Sequence, residues 1–418
     1  MRYKTLLSSL IGNALEYYDF TIFAVFSVEI GRTFFSTEDD NLKMLLPLAV
    51  FAVGFLMRPL GAVLFGHIGD KVGRKKALTL SIACMALPTL AIGFMPGHET
   101  LGVVAPFLLI LCRLIQGLSI GGEGAGSAIF ILEHNDKLNA GYLGGIITSS
   151  NFVGAFFATL VGLGMSSFLP ESLSWRYAFI LGGTLGFVGF YLRTQIPETP
   201  IFETLLRENK VLKFPLIKVL SENKEQIFLS VSLGGMAGTF AYMILAFMNL
   251  FFQKTVGLSP TLSLIYATCG IGGFIIFLPL FGALADKIGY KNSLLHACYG
   301  VFILSIPLFL LMSVPEGNLN LLGLLMFAAL AAWVCSPAYP IMIQIFPPQQ
   351  RYSGIAFGFN IGLALFGGTA PMISAYLTQV TSLSYSPAFY LMGVSLFYIG
   401  VSSYTTYKQK ELTMSFRS

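Results

Sequence analysis

The chain has 418 residues, of which 55% are hydrophobic and only 11% charged, and its mean hydropathy is +0.76. A soluble domain carries about 25% charged residues because its surface faces water. The charges here are too few for that, which excludes a soluble globular protein and points to an outer surface that faces lipid. The net charge of +5 is accounted for by loop topology, so nucleic acid is not implied as a partner. The five cysteines (Cys84, Cys112, Cys269, Cys298 and Cys335) lie in apolar or Ala/Gly-rich runs with no CxxC spacing. They read as small buried hydrophobes, not as a disulfide framework or a metal site.

A bilayer-spanning helix needs about 20 mostly apolar residues. The first such run, 5–28, follows Met1-Arg2-Tyr3-Lys4. Glu16 and Asp19 interrupt it and no small-residue cleavage site follows, so it reads as a retained helix and not as a signal peptide. Further runs fall at 43–66, 77–95, 101–125, 140–165 and 174–193. A polar interval, 194–226, comes next, with Glu198, Glu203, Arg207, Glu208, Lys210, Lys213, Lys218 and Lys224; short amphipathic helices on the membrane surface are expected there. Six more runs follow at 227–252, 261–285, 291–313, 319–345, 352–379 and 386–407. The fold class expected is all-α: a polytopic membrane protein with twelve transmembrane helices in two six-helix bundles. The bundles are 1–193 and 227–418, the second with a short tail, joined by a cytoplasmic central loop.

Lys and Arg placement sets the orientation. With the N-terminus in the cytoplasm, nineteen of the 25 basic residues fall on cytoplasmic segments, among them Lys71, Arg74, Lys75, Lys76, Lys137, Arg193, Arg351 and Arg417. Four (Arg32, Lys43, Arg176 and Lys254) fall on the opposite side, and Arg58 and Arg113 lie within spans. Both termini are therefore expected in the cytoplasm.

The second and third spans are joined by Gly66-His67-Ile68-Gly69-Asp70-Lys71-Val72-Gly73-Arg74-Lys75-Lys76. A degraded copy, Gly282-Ala283-Leu284-Ala285-Asp286-Lys287-Ile288-Gly289-Tyr290-Lys291, occupies the equivalent place in the second half, 216 residues on. The glycines permit a tight turn and close helix approach, and each aspartate can cap a helix N-terminus or pair with a cation. The pattern resembles the signature loop of the major facilitator superfamily. The resemblance implies a gating role for Gly66, Asp70, Lys71, Gly73, Arg74, Asp286 and Lys287.

Gly12-Asn13-Ala14-Leu15-Glu16-Tyr17-Tyr18-Asp19-Phe20, Phe55-Leu56-Met57-Arg58-Pro59-Leu60-Gly61, Arg113-Leu114-Ile115-Gln116-Gly117, Gly121-Gly122-Glu123 and Pro197-Glu198-Thr199-Pro200-Ile201-Phe202 together look like the metabolite:proton symporter branch of that superfamily. Its members carry proline and betaine, 2-oxoglutarate, citrate or shikimate, and the proline/betaine type is the nearest in flavour. The resemblance is dense over residues 8–205 and thin beyond. Departures include a basic loop after the fourth span reduced to Lys137.

Five ionisable residues fall inside spans: Glu16, Asp19, Arg58, Arg113 and Glu123. Each costs roughly 2.5–3.5 kcal/mol at mid-bilayer unless paired or wetted, so function is the default reading. From a rise of about 1.5 Å per residue, Asp19 and Arg113 share one depth and Arg58 and Glu123 another, so the expected ion pairs are Asp19–Arg113 and Arg58–Glu123. The coupling proton is assigned to a carboxylate among Glu16, Asp19 and Glu123, with Arg113 as the exchanging partner. Solute contacts are expected from Asn13, Arg58, Arg113, Gln116 and Asn151, and from Trp333 and Tyr339, whose rings suit an ammonium head.

The five charges sum to −1, which fits a zwitterion or monocarboxylate better than a tricarboxylate. The expected function is proton-coupled import of a small carboxylate-bearing solute such as proline or betaine. The alternatives are symport of a di- or tricarboxylate (2-oxoglutarate, citrate) or export of metabolites or drugs. No nucleophile–base set, metal cluster or phosphate loop is present, so neither an enzyme nor a cofactor is expected. The partners are the solute, H⁺ and the lipid bilayer, and the protein is expected to be a monomer.

Overall fold

The computed structural model describes residues 3–35, 46, 49–50, 53–54, 56–135, 139–314 and 319–415. Phe55, Arg2, Lys43, Lys137, Arg417 and much of the expected span 43–66 lie outside the described residues, as do the side chains of Lys4 and Lys410. The helices in chain order are α1 (Tyr3–Val25), α2 (Ser27–Phe34), α3 (Arg58–Lys71), α4 (Arg74–Phe94), α5 (His98–Leu101), α6 (Val104–Glu133), α7 (Ala140–Phe168) and α8 (Glu171–Thr194). The interval read as a polar loop carries two short helices, α9 (Pro200–Arg207) and α10 (Pro215–Glu222). Then come α11 (Lys224–Val256), α12 (Pro260–Ile288), α13 (Tyr290–Met312), α14 (Leu319–Ile345), α15 (Arg351–Thr381) and α16 (Pro387–Ser415). Among the described residues there is no strand.

Among the described residues, nine helices are long and apolar enough to cross a bilayer. The other three expected spans correspond to α1, with Asn13, Glu16 and Asp19 in its interior; to α3, whose approach is only partly described; and to α8, which carries Arg176 and Arg193. Large apolar side chains such as Leu56, Phe107, Ile303 and Met372 are exposed. An apolar exterior on this scale belongs against lipid.

The chain divides into two compact units. The first comprises Met1–Asn135, Ser150–Leu216 and Pro348–Ala356; the second comprises Asp136–Ser149, Ile217–Pro347 and Phe357–Ser418. Each therefore includes a short piece from the other half of the sequence. In the first unit, α3 and α6 approach closely: a Cβ at Gly121 would collide with the α3 backbone at Arg58 and Ala62. Small residues drive such packing where lipid removes the hydrophobic incentive. A core of Ile22, Phe23, Phe26, Trp175 and Phe179 fills one end of this unit.

All five cysteines are free. Cys298 and Cys335 are buried and Cys84 and Cys112 partly so, but Cys269 is exposed, which corrects the expectation that all five are buried. Helix α12 has little of its surface covered by protein, which leaves the Cys269 thiol exposed.

Candidate functional site

The first unit gathers six buried ionisable groups into three pairs. Asn13, Glu16 and Asp19 follow one another at three-residue spacing on α1, which places neighbours on roughly one face. Asp19 is 1% exposed and accepts from three side chains: Arg113 Nη1 at 2.7 Å, Thr89 Oγ1 at 2.7 Å and Gln116 Nε2 at 2.8 Å. The Arg113 guanidinium also lies 3.7 Å from the centroid of the Phe23 ring. The expected Asp19–Arg113 pair is present, and it is closed in on all sides.

The expected Arg58–Glu123 pair is not formed. Glu123 is held instead by Arg193, which donates to both carboxylate oxygens, and by Ser81 Oγ at 2.5 Å and Ser127 Oγ at 3.2 Å. Arg193 also donates to the carbonyls of Leu78 and Ser8 and is fully buried. Arg58 pairs with Glu16 at 3.5 Å. Depth along the membrane normal says nothing of position around each helix, and azimuth chose the partners. Arg193, expected among the loop cations, is thus a core residue. Its signal is present in the sequence: Gly182, Gly186, Gly189 and Arg193 recur at helical spacing, and all four are buried.

With Arg193 included, three carboxylates face three guanidinium groups and the sum becomes zero instead of −1. The carboxylates are unequally compensated. Asp19 and Glu123 are each held by several donors, whereas Glu16, 4% exposed, has a single long contact through Oε1 and no hydrogen-bond partner at Oε2. Nearby amides are also unsatisfied: both polar atoms of Asn13, Oε1 of Gln116 and Oδ1 of Asn151 are buried without partners. Asn151 belongs to the α7 segment that packs on α1, where Tyr17 and Phe152 rings lie 5.8 Å apart.

Trp333 and Tyr339 belong to the second unit. Trp333 stacks on Phe281 at 5.4 Å and donates to Ser293 Oγ, and Tyr339 is buried against Phe359 at 5.3 Å. One face of each ring therefore already meets another ring.

The two glycine–aspartate loops share a geometry. Their turn glycines, Gly73 and Gly289, have φ of 127° and 87°, where a side chain is strained. Asp70 accepts from the amides of Tyr352 (3.1 Å) and Ser353 (2.8 Å), capping the first turn of α15. Asp286 does the same for α7, through the amides of Gly141 (2.7 Å) and Tyr142 (2.9 Å). These are N-caps supplied by another segment of the chain, satisfying donors a helix start leaves free. Gly66 abuts Ser353, whereas Lys71 and Lys287 are exposed.

Around Asp70 lies a second buried network. Arg74 pairs with Asp70 and with Glu133, each at 3.3 Å, and Arg351 reaches Glu133 at 2.9 Å. Thr199 donates to Glu133 at 2.8 Å while capping α9, and Glu198 accepts from the Lys75 amide. Burial raises the Glu198 carboxyl above its ordinary range, opposed by the Thr199 and Lys75 amides. Sequence reasoning gives Glu133 and Arg351 no role in a site, because helix-end charges read as solvated.

Tyr352 is fully buried, with its hydroxyl donating to the Gly122 carbonyl at 2.9 Å. A Cβ at Gly69 would strike its ring, and one at Gly126 its phenol. Tyr352→Phe should therefore cost about 1 kcal/mol locally, speeding amide exchange at Tyr352 and Ser353 about fivefold. Gly126→Ala should cost more, about 1–3 kcal/mol by overpacking. Hydrogen-exchange mass spectrometry of residues 348–356 checks both.

The Major Facilitator Superfamily model matches residues 9–360. The chain belongs to the major facilitator superfamily. Within this superfamily of membrane transporters, it is 34% identical over 402 residues to a Staphylococcus haemolyticus protein named for proline/betaine transport, covering 94% of this chain and 85% of that protein. It is 29% identical over 421 residues to the proline/betaine transporter of Escherichia coli, covering 97% and 83%. A solved structure of the proton:xylose symporter XylE superposes with a TM-score of 0.76 at 15% identity, over 96% of this chain and 94% of that one. That likeness shows the fold. The chain is thus an integral membrane transporter and not an enzyme.

Proposed function

We propose that this superfamily member imports a small zwitterionic carboxylate, of the proline or betaine kind, together with a proton, and that Glu16–Arg58 is the pair that opens during the cycle. The observation that carries this is the unequal compensation of the three buried carboxylates: Glu16 alone has one long contact and an oxygen without a partner. A carboxylate in a dry site whose guanidinium turns away is stabilised by taking a proton. Arg58, turned from Glu16, then offers its guanidinium fork to the solute's carboxylate. Protonation of Glu16 leaves the six-charge set at +1, and one carboxylate restores neutrality. Asn13 and Asn151, with unsatisfied amide atoms, supply polar contacts to the same solute.

The names of the relatives support proline and betaine as the first solutes to test. The bias of basic residues supports cytoplasmic termini. The Asp70 and Asp286 caps act as releasable latches: each holds a helix start through hydrogen bonds from two backbone amides, which water can replace when the loop moves away. Alternating access requires contacts of this kind on one side of the cycle.

The test is uptake by proteoliposomes under an imposed pH gradient, with proline, betaine, 2-oxoglutarate and citrate offered in parallel. Gradient-dependent accumulation of proline or betaine, and none of citrate, is the expected result. Accumulation of citrate or 2-oxoglutarate alone, or uptake indifferent to the gradient, contradicts it.

A further inference from the structure

The second unit contains a cavity that the three ion pairs do not touch. Its volume is about 640 Å³, within the range of pockets for small ligands. One wall is the end of α11, with Phe247, Phe251, Lys254 and Thr255, and the other is the end of α15, with Thr378 and Gln379.

The wall on α11 is built irregularly. This helix widens to i→i+5 bonding twice, over Met243–Phe247 and again over Phe252–Val256. Each widened turn inserts one residue and rotates the helix beyond it by about 100°. The first closes on Phe247 and the second contains Lys254 and Thr255, so both widened turns carry residues of the cavity. Helix α15 is widened too, over Leu363–Gly367, against Gly238 of α11. Wide turns of this kind are uncommon and concentrate at functional sites.

The chemistry of the lining is one-sided. Lys254 supplies one exposed ammonium and Thr255 a hydroxyl, the Thr378 hydroxyl being spent on the Ser374 carbonyl, and no acidic side chain is among the described lining residues. Buried Phe247 and Phe251 lie at the same place. An ammonium beside a hydroxyl recognises an anionic oxygen group. Aromatic rings beside it suit an apolar or cationic remainder.

We propose that this cavity is a second solute site, which takes the carboxylate end of the transported zwitterion on Lys254. The identity of the solute rests on the transport reading above; the site itself does not. A lipid headgroup phosphate offers the same oxygen chemistry, and the experiment separates the two.

Thr255→Cys is reacted with a negatively charged, membrane-impermeant thiosulfonate, with the unsubstituted chain, which has exposed Cys269, as background. Saturating proline or betaine is expected to slow labelling about fivefold, and Lys254→Gln to abolish that protection. In uptake, Lys254→Gln is expected to raise KM about tenfold, as for one charge-assisted contact, with the maximal rate unchanged and Lys254→Arg restoring most of the affinity. Ser384→Cys repeats the labelling should Thr255→Cys fold poorly.

Labelling indifferent to solute, in vesicles that still accumulate it, overturns the site and leaves the transport reading intact. Protection by short-chain phosphatidylglycerol but not by solute also overturns it, in favour of a headgroup site. Failure of proline and betaine in uptake, with protection by another carboxylate that is taken up, overturns the named solutes and supports the site.

Discussion

Glu16→Gln will leave a protein that exchanges its solute across the membrane but does not concentrate it. One proton moved down a gradient of one pH unit supplies about 1.4 kcal/mol, enough for about tenfold accumulation. With a side chain that cannot take the proton, the accumulation ratio falls to about one, while exchange of labelled for unlabelled solute continues. The Glu16–Arg58 contact is long, at 3.5 Å against 2.7 Å for Asp19–Arg113, and a neutral side chain at this position is already a state of the proposed cycle, so the fold should survive. Asp19→Asn differs in kind. It leaves Arg113 buried among Phe20, Phe23 and Phe179 without a counter-charge, so its loss of uptake should come with loss of stable protein. Measuring accumulation, exchange and yield together distinguishes the two.

Arg193→Met will give the largest loss of stability among the six buried charges. Breaking a buried ion pair by removing one partner costs about 3–5 kcal/mol, because the remaining charge is left uncompensated. Glu123 would keep only Ser81 and Ser127, and the Leu78 and Ser8 carbonyls would each lose a donor. The same position is crowded: a Cβ at Gly12 would run into the Arg193 guanidinium and Glu123, so little room exists for rearrangement. Combining Arg193→Met with Glu123→Gln should recover much of the loss, since no charge then remains unpaired. Thermal unfolding of the detergent-solubilised protein, in a double-mutant cycle, reads the coupling directly. Additive losses would contradict a direct pair.

Of the residues in these two expectations, some were legible in the sequence and some were not. Charges inside apolar runs are costly wherever they sit, so Glu16, Asp19, Arg58, Arg113 and Glu123 were identifiable as a set, and shared depth made Asp19–Arg113 one of two candidate pairs. The Asp70 and Asp286 loops were identifiable because a turn glycine and a cap leave a spacing signature. Partner choice for Arg58 and Glu123 was not legible, because the rotation of each helix about its own axis decides it, and hydropathy is silent on that rotation. Arg193, Glu133 and Arg351 were hidden for another reason. Each sits where a span ends, and a charge there reads as solvated until its partners are known: Glu123 for Arg193, and Arg74, Thr199 and Arg351 for Glu133. The widened turns of α11 were equally hidden, since no residue type specifies them.

Everything in the proposed cycle turns on Glu16 gaining the proton as the solute binds. In lightly buffered detergent solution, adding saturating proline or betaine to the purified protein should take up about one proton per solute bound, followed with a pH indicator. Glu16→Gln is expected to bind solute still and to take up none, while Glu123→Gln, where it folds, takes up as many as the unsubstituted chain. Undiminished proton uptake by Glu16→Gln would contradict the assignment.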